Sequence, residues 1–437
     1  MKFFDPCIPR AQLPRGPAEQ QDVGELRDVI GGRAVTPVFQ PLVSLASGAL
    51  VGYEALARGP AGTRWEAPAT LFAAAREAGL DGELDWVCRA AAYRVALEAG
   101  LRTPLFVNME PRAWRTPCPP DLAGVVAAAH DRLRVVTEMT ERAIADDPSA
   151  LLAATAHCRA AGWGVALDDV GADPMSLALM PFVHPDVVKL DMSLLRSPSE
   201  PYTAQVVAAV QAYAEASGAT ILAEGVETAV HERIARTMGA TIGQGWRYGR
   251  PGPLPATAPA AASLLTPASR PASIAGTPYE IVAPRRPVVE TTKGELMPIS
   301  RHLEALAEDG PVLLACFQDA QHFTPATARR FARIARHSPL VAAIGVGLPE
   351  RPAPGIRGAS LTAGDPLRGE WNVIVVGPHR AAALVARDLG DTGPDRDRRF
   401  AFATTHDRDL VIAAARSLLR IIAPAEGADA AGLLTPA

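Results

Sequence analysis

Along its first 255 residues the chain repeats one pattern, a short apolar run that stops at a polar side chain. The runs are Val38–Leu45, Ala49–Glu54, Pro104–Asn108, Leu133–Glu138, Gly164–Asp169, Asp186–Asp191, Thr220–Glu224 and Thr241–Gln244. Apolar runs of this length, bounded by turn residues, predict strands covered on both faces. Between most of them lie Ala-rich helical stretches: Leu84–Ala99, Ser149–Ala161, Thr203–Ser217 and Val230–Met238. Strands alternating with helices predict crossover units and a parallel sheet. Eight units in roughly 250 residues fit a (β/α)8 barrel, whose chemistry gathers at the carboxyl ends of its strands. On that expectation Glu54, Asn108, Glu138, Asp168, Asp169, Lys189, Asp191, Glu224 and Gln244 share one rim.

The pattern also divides the rest of the chain. Residues 1–24 have little periodicity and read as a flexible arm, with the barrel candidate at 25–255. Residues 256–289, rich in Pro and Ala, read as a linker. From 290 to 422 a second alternation predicts a smaller α/β domain. Its expected strands are Pro311–Cys316, Leu340–Val346, Glu370–Val376 and Phe400–Thr405. Its expected helices are Arg301–Ala307, Pro325–Arg336, Pro378–Leu389 and Leu410–Ile422. Residues 423–437 are small and read as a disordered tail.

Composition excludes several classes of function. With 48% hydrophobic residues the chain has ample material for a core, and a net charge of −4 gives no basic face for a nucleic-acid polymer. Five scattered cysteines without a CxxC pair predict neither a disulfide framework nor a zinc site, and fit a reducing cytoplasm. The start lacks the apolar segment of a signal peptide, and no run approaches the ~18 apolar residues of a membrane span.

The rim residues carry the chemistry. Glu54, Asn108, Glu138, Asp168, Asp169 and Glu224 offer only oxygen donors, which suit Mg²⁺ or Mn²⁺ rather than zinc. Five carboxylates exceed the needs of one ion, so the set points to two divalent cations, an arrangement used for phosphoryl displacement. Lys189 and Arg58 add positive charge suited to a phosphate oxygen. The competing reading, helix caps and ion pairs across a barrel rim, accounts for single acids more easily than for the whole set.

In their order these residues also carry a resemblance. Glu54-Ala55-Leu56-Ala57-Arg58 resembles the signature of EAL domains, the bacterial cyclic di-GMP phosphodiesterases. Asn108, Glu138-Met139-Thr140-Glu141, Asp168-Asp169, Lys189-Leu190-Asp191, Glu224-Gly225-Val226-Glu227 and Gln244-Gly245 follow in that family's order. The resemblance implies an EAL-like TIM-type barrel with a two-metal site that opens cyclic di-GMP to linear pGpG. It implies that Glu54, Asn108, Glu138 and Asp168 hold one ion, and that Asp168, Asp169 and Glu224 serve the other. Lys189 would act on the attacking water; Arg58, Gln244 and Asp191 would face substrate. Glu141 and Glu227 would support the site, and a homodimer would form through the barrel. After the Asp pair, Val170–Ser176 departs from the family's pattern, with Asp173 and Pro174 in place of Gly and an aromatic residue. That departure leaves two functions open, a phosphodiesterase of conditional rate or a cyclic di-GMP-binding effector without useful turnover.

In the second region, Gly355–Gly358, Asp365–Glu370, Gly369–His379, Asp397–Phe400 and Thr405–Asp409 resemble the DICT sensory domain. The resemblance implies regulation, by a ligand that the residues do not name. Trp371 and Phe400 read as core anchors, and the nearby Asp and Arg residues as a salt-bridged face.

Overall fold

The structure, a computed structural model, describes residues 17–110, 116–140, 147–172, 177, 180–255, 274–309, 312–377 and 380–422. After helix α1 (Pro17–Gly31), eight strands close a barrel in sequence order. They are β1 (Thr36–Ser44), β2 (Leu50–Arg58), β3 (Leu105–Asn108), β4 (Val135–Thr140), β5 (Gly164–Val170), β6 (Val187–Leu190), β7 (Thr220–Ala223) and β8 (Ile242–Gln244). Around them run α2 (Pro68–Ala78), α3 (Asp81–Glu98), α4 (Ala123–Arg132), α5 (Pro148–Ala160), α6 (Met180–Val183), α7 (Met192–Arg196), α8 (Pro201–Ser217) and α9 (Ala229–Thr237).

One expectation is corrected: the sheet is not parallel throughout. β1 runs antiparallel to both β2 and β8, while β2 to β8 pair in parallel. Only a short turn joins β1 to β2, too short for the dozen or more residues that a crossover needs. The barrel interior is sealed by a layer with one residue from each strand: Leu42, Val51, Phe106, Val136, Ala166, Val187, Leu222 and Ile242. Strand side chains on one face repeat every second residue. Two residues beyond the layer therefore come Asn108, Glu138, Asp168, Lys189, Glu224 and Gln244.

The second domain is a seven-stranded sheet in the order β12-β11-β10-β13-β14-β15-β9. Its strands are β9 (Val289–Thr292), β10 (Val312–Asp319), β11 (Val341–Val346), β12 (Ile356–Ala359), β13 (Glu370–Val376), β14 (Ala381–Asp388) and β15 (Arg399–Thr405). One face packs under α11 (Lys293–Ala305) and α12 (Pro325–Ile334), around Leu296, Phe331 and Trp371. The other is covered by α10 (Pro278–Val282) and α13 (Arg408–Leu419), around Val282, Ile374 and Leu418.

Two readings differ here. Of the segment expected as the helix Pro378–Leu389, residues 381–388 are strand β14, paired along its length with β13 and β15. Ala, Leu and Arg favour helix locally, but a strand buried on both faces shows no alternation, and tertiary pairing overrides the propensity. The described end of the expected linker, from Ile274, is ordered: Thr277 and the Tyr279 N–H both bond the fully buried Glu370 of β13. Trp371 and Phe400 do pack edge to face, ring centroids 5.7 Å apart, and Arg398 and Arg399 pair with Asp388, Asp395 and Asp391. Cys88, Cys118, Cys158 and Cys316 are free thiols. No helix among the described residues is long and apolar enough to cross a membrane.

Candidate active site

The barrel mouth is built around one cation. Lys189 of β6 is fully buried, and its Nζ lies 2.6 Å from Glu138, 2.7 Å from Glu224, 2.8 Å from Asp168 and 3.6 Å from Glu54. Four carboxylates from β2, β4, β5 and the exit of β7 thus face a single ammonium. Burial alone would push that ammonium's pKa down, but the four acids outweigh burial and hold it well above the usual lysine value. The acids respond in the opposite sense to an ordinary salt bridge. Burial, then crowding by neighbouring carboxylates, pushes Glu138 and Glu224 well above the normal carboxylate range.

Asp168 and Asp169 are consecutive, and in a regular strand they would point to opposite faces. A register break between Leu167 and Val170 in the β5–β6 ladder removes that constraint, and Asp169 adopts φ 54°, a left-handed value uncommon outside glycine. The result is a triad: one carboxylate oxygen each from Asp168, Asp169 and Glu224, all within 4.8 Å of one another. Gly225, next after Glu224, has φ 62°, and a Cβ there would stand 2.4 Å from that of Met192, so only glycine fits.

The remaining donors gather at the other side. Asn108, exposed at the end of β3, donates its amide to Glu54 at 3.3 Å. Gln244 donates to Glu54 and, at 3.0 Å, to Gln40 of β1. Gln40 in turn donates to the Gly249 carbonyl at 3.1 Å, pinning the loop after β8. On the outer side of that loop Glu232 of α9 accepts from Arg247 and Tyr248, and Arg236 and Arg247 hold its carboxyl down to about 2.

Whether these residues fit divalent cations can be judged from the donors themselves. They are oxygen atoms throughout, they carry more negative charge than Lys189 neutralises, and Glu138 Oε2 is buried without a hydrogen-bond partner among the described residues. A buried carboxylate oxygen lacking a donor is what a hard cation satisfies. The set fits.

Other expected residues lie elsewhere. Half-buried Arg58, at the end of β2, donates to the Ala57 carbonyl and lines a cavity of about 250 Å³ shared with Asn108, Glu138, Phe72 and Asp85. Asp191 caps α7, accepting from Ser193 N–H at 2.9 Å. Glu227 stands 3.9 Å from Arg196, outside the group around Lys189. Glu141 and positions 173–176 of the altered loop fall outside the described residues.

Two features escaped the sequence reading. Gln40 was missed because β1 runs antiparallel, so its rim residue comes two before the sealing Leu42 rather than two after. A buried amide inside the apolar stretch PVFQPLV was the available signal. The other is the buried Asp85–Arg89 pair of α3, with Arg89 4.0 Å above the Trp86 ring. Asp85 accepts the Glu110 N–H at 3.0 Å and so fixes the chain just beyond Asn108.

Comparison with known proteins now adds to the geometry. The model of the EAL domain matches residues 23–251, and that of the DICT domain, "Sensory domain in DIguanylate Cyclases and Two-component system", matches residues 282–389. The "Probable cyclic di-GMP phosphodiesterase PdeB" of Escherichia coli strain K12 is 28% identical over 231 residues, 52% of this chain and 44% of that protein. The "Cyclic di-GMP phosphodiesterase RocR" of Pseudomonas aeruginosa is 27% identical over 254 residues, 56% of this chain and 64% of that protein. This chain thus spans 44% to 64% of the length of these curated relatives. A solved structure, "Klebsiella pneumoniae BlrP1 pH 9.0 manganese/cy-diGMP complex", is 28% identical, covering 51% of this chain and 57% of its own, with a TM-score of 0.43.

Proposed function

The chain belongs to the EAL-domain family, and from that premise we propose that it is a metal-dependent phosphodiesterase opening cyclic di-GMP to linear pGpG under the control of its C-terminal domain. The observation that supports this most is the gathering of Glu54, Glu138, Asp168 and Glu224 around Lys189, with Asn108, Asp169 and Gln244 beside them.

On this reading Glu54, Asn108, Glu138 and Asp168 would hold one divalent ion, and Asp168, Asp169 and Glu224 would hold the second. Bound there, Mg²⁺ or Mn²⁺ supplies charge neutralisation for the phosphoryl oxygens and lowers the pKa of water toward neutrality. The chain does the rest. Lys189 keeps its proton and donates it as a hydrogen bond, orienting the attacking water. The water oxygen bonds to phosphorus as the bond from phosphorus to one ribose ester oxygen breaks; a carboxylate of the group takes one proton from the water, and that proton passes to the leaving ribose oxygen, which departs as a hydroxyl. Gln244 and Gln40 hold Glu54 in place. Arg58 meets a phosphate oxygen at the mouth of the cavity, whose mix of apolar and polar lining suits a base. Asp191 and Glu227 act from further out, by shaping α7 and the β7 exit. The free thiols suit a reducing cytoplasm, and a homodimer through the barrel belongs to the same proposal.

The test is turnover of cyclic di-GMP by the full chain with Mn²⁺, Mg²⁺ or chelator, resolving pGpG by chromatography. Metal-dependent pGpG is the expected result. Substrate binding without product would favour an effector instead. The raised carboxyls give a second expectation. Protons compete with cations for these oxygens, so Mn²⁺ should raise the thermal midpoint more at pH 8 than at pH 5. An equal rise at both pH values would place Mn²⁺ somewhere other than these acids.

A further inference from the structure

Several segments of the second domain bring polar side chains to one end of its sheet. Asp388 closes β14, Arg398 stands just before β15, and Lys293 follows β9 as the first residue of α11. Pairing of Asp388 with Phe400, and of Arg399 with Thr292, puts these three ends side by side. Half-buried His322 joins them from the chain just beyond β10.

Gln318 reaches the same place by leaving its strand. The β10–β11 ladder breaks between Cys316 and Asp319, and Gln318 takes φ 63°, a left-handed value uncommon for a residue with a Cβ. Its amide oxygen accepts from Arg398 Nη2 at 3.2 Å, and its nitrogen donates to Asp388 at 3.2 Å. Asp388 also accepts from Arg398 Nη2. One edge of the guanidinium is thereby fixed, and the other, Nη1, is turned toward His322 and Asp395.

On that side the donors outnumber the acceptors. Lys293 Nζ stands 3.3 Å from His322 Nδ1, and Arg398 Nη1 stands 3.4 Å from His322 Nε2. Ammonium and guanidinium groups only donate, and a neutral imidazole accepts at one nitrogen alone. Burial, then the Lys293 ammonium, pushes the His322 pKa below its usual value, so the ring is uncharged at neutral pH. One ring N–H therefore faces a cation and has no acceptor among the described residues. A single carboxylate sits among the three groups. Asp395 accepts from Lys293 at 2.6 and 2.7 Å and from Arg398 at 3.3 Å, so both its oxygens are taken by the cations. The Asp395 side chain is 56% exposed and rides on a short 3-10 turn, in a connection that also holds Gly390, Gly393 and Pro394.

We propose that Lys293, His322 and Arg398 form a phosphate-binding site, whose place Asp395 holds until a phosphate group displaces it. A phosphoryl group presents three oxygens, one for each donor, where a carboxylate presents two. The position is also one that open α/β sheets use for ligands, outside the carboxyl end of a strand. Inorganic phosphate and the phosphomonoester of a small metabolite share this chemistry. The site asks nothing of the metal-binding acids in the barrel.

Calorimetry on the full chain in chelator, with inorganic phosphate, glycerol phosphate and acetate as probes, tests the site. Asp395→Ala should bind phosphate about tenfold more tightly than the wild type, because the closed state no longer competes. His322→Phe and Lys293→Met should each weaken binding by about tenfold, the scale of one hydrogen bond to a charged group. Arg399→Ala, exposed and outside the group, should change nothing. Acetate should bind far more weakly than phosphate, since it offers no more than Asp395 does. Amide hydrogen exchange supplies a readout that a merely structural ion pair would not move: phosphate should slow exchange over residues 317–324 and speed it over 389–397 as Asp395 is released. Tighter binding of the ester than of the free ion would support a phosphomonoester as the ligand, and the reverse would support inorganic phosphate. No phosphate binding by either the wild type or Asp395→Ala would overturn the proposal. So would phosphate binding that is unchanged in His322→Phe and Lys293→Met, or that acetate equals.

Discussion

Replacing Lys189 with methionine should abolish turnover and, in chelator, cost the barrel about 3–5 kcal/mol of stability, the range for breaking a buried ion pair from one side. The reason is charge balance. Glu54, Glu138, Asp168 and Glu224 have Lys189 as their shared cation, and the side chain that replaces it offers them nothing. The pH dependence has a definite sign. A carboxyl whose pKa is raised on folding costs stability above that pKa and returns it as pH falls. The penalty in Lys189→Met should therefore be larger at pH 8 than at pH 5, shrinking as falling pH lets the raised carboxyls of Glu138 and Glu224 take up protons. Mn²⁺ should restore part of the stability but not the rate, since turnover also loses the donor that orients water, an effect of about 10²–10⁴. Urea unfolding at the two pH values, with and without Mn²⁺, measures all three. A variant as stable as the wild type in chelator at pH 8 would show that the acids do not depend on this ammonium.

Glu54→Ala should have a contrasting outcome. Turnover should fall by about a thousandfold, roughly 4 kcal/mol of lost charge stabilisation. The metal-free fold should be at least as stable as before, because one of the crowded carboxylates is gone and stability is recovered where function had strained it. Glu54 also receives the Asn108 and Gln244 amides, so both lose their shared acceptor in this variant. Kinetics with Mn²⁺ and melting in chelator separate the two effects. Wild-type turnover in this variant would falsify the site assignment, and a drop in the metal-free melting point would mean that Glu54 serves the fold.

Much of this was legible in the chain. Polar residues closing apolar runs predicted the rim, since a period of two places Val136 and Glu138, or Ala166 and Asp168, on one face. Oxygen-only donors pointed to hard cations, which the unpartnered Glu138 oxygen at the rim suits. Strand–helix alternation predicted a barrel and a second α/β domain. Lengths and residue types were enough for those readings, because they depend on local periodicity and on donor chemistry.

What failed, or stayed out of reach, depends on partners distant in sequence. No local signal says that β1 runs antiparallel, so Gln40 sat at the wrong end of its strand to be counted. The segment 381–388 has helical composition, and only pairing with β13 and β15 makes it a strand. That Asp168 and Asp169 reach the same side follows from a ladder break whose cause lies in the β5–β6 register. That Arg398 meets His322 could not be read at all, because the two lie 76 residues apart. The sequence by itself determined which groups are present and on which face of each strand they stand, because side-chain direction follows from backbone period. The tertiary structure decided which way each strand runs, where the ladder breaks and which side chains meet at the end of a sheet, because those follow from long-range packing that no local pattern encodes.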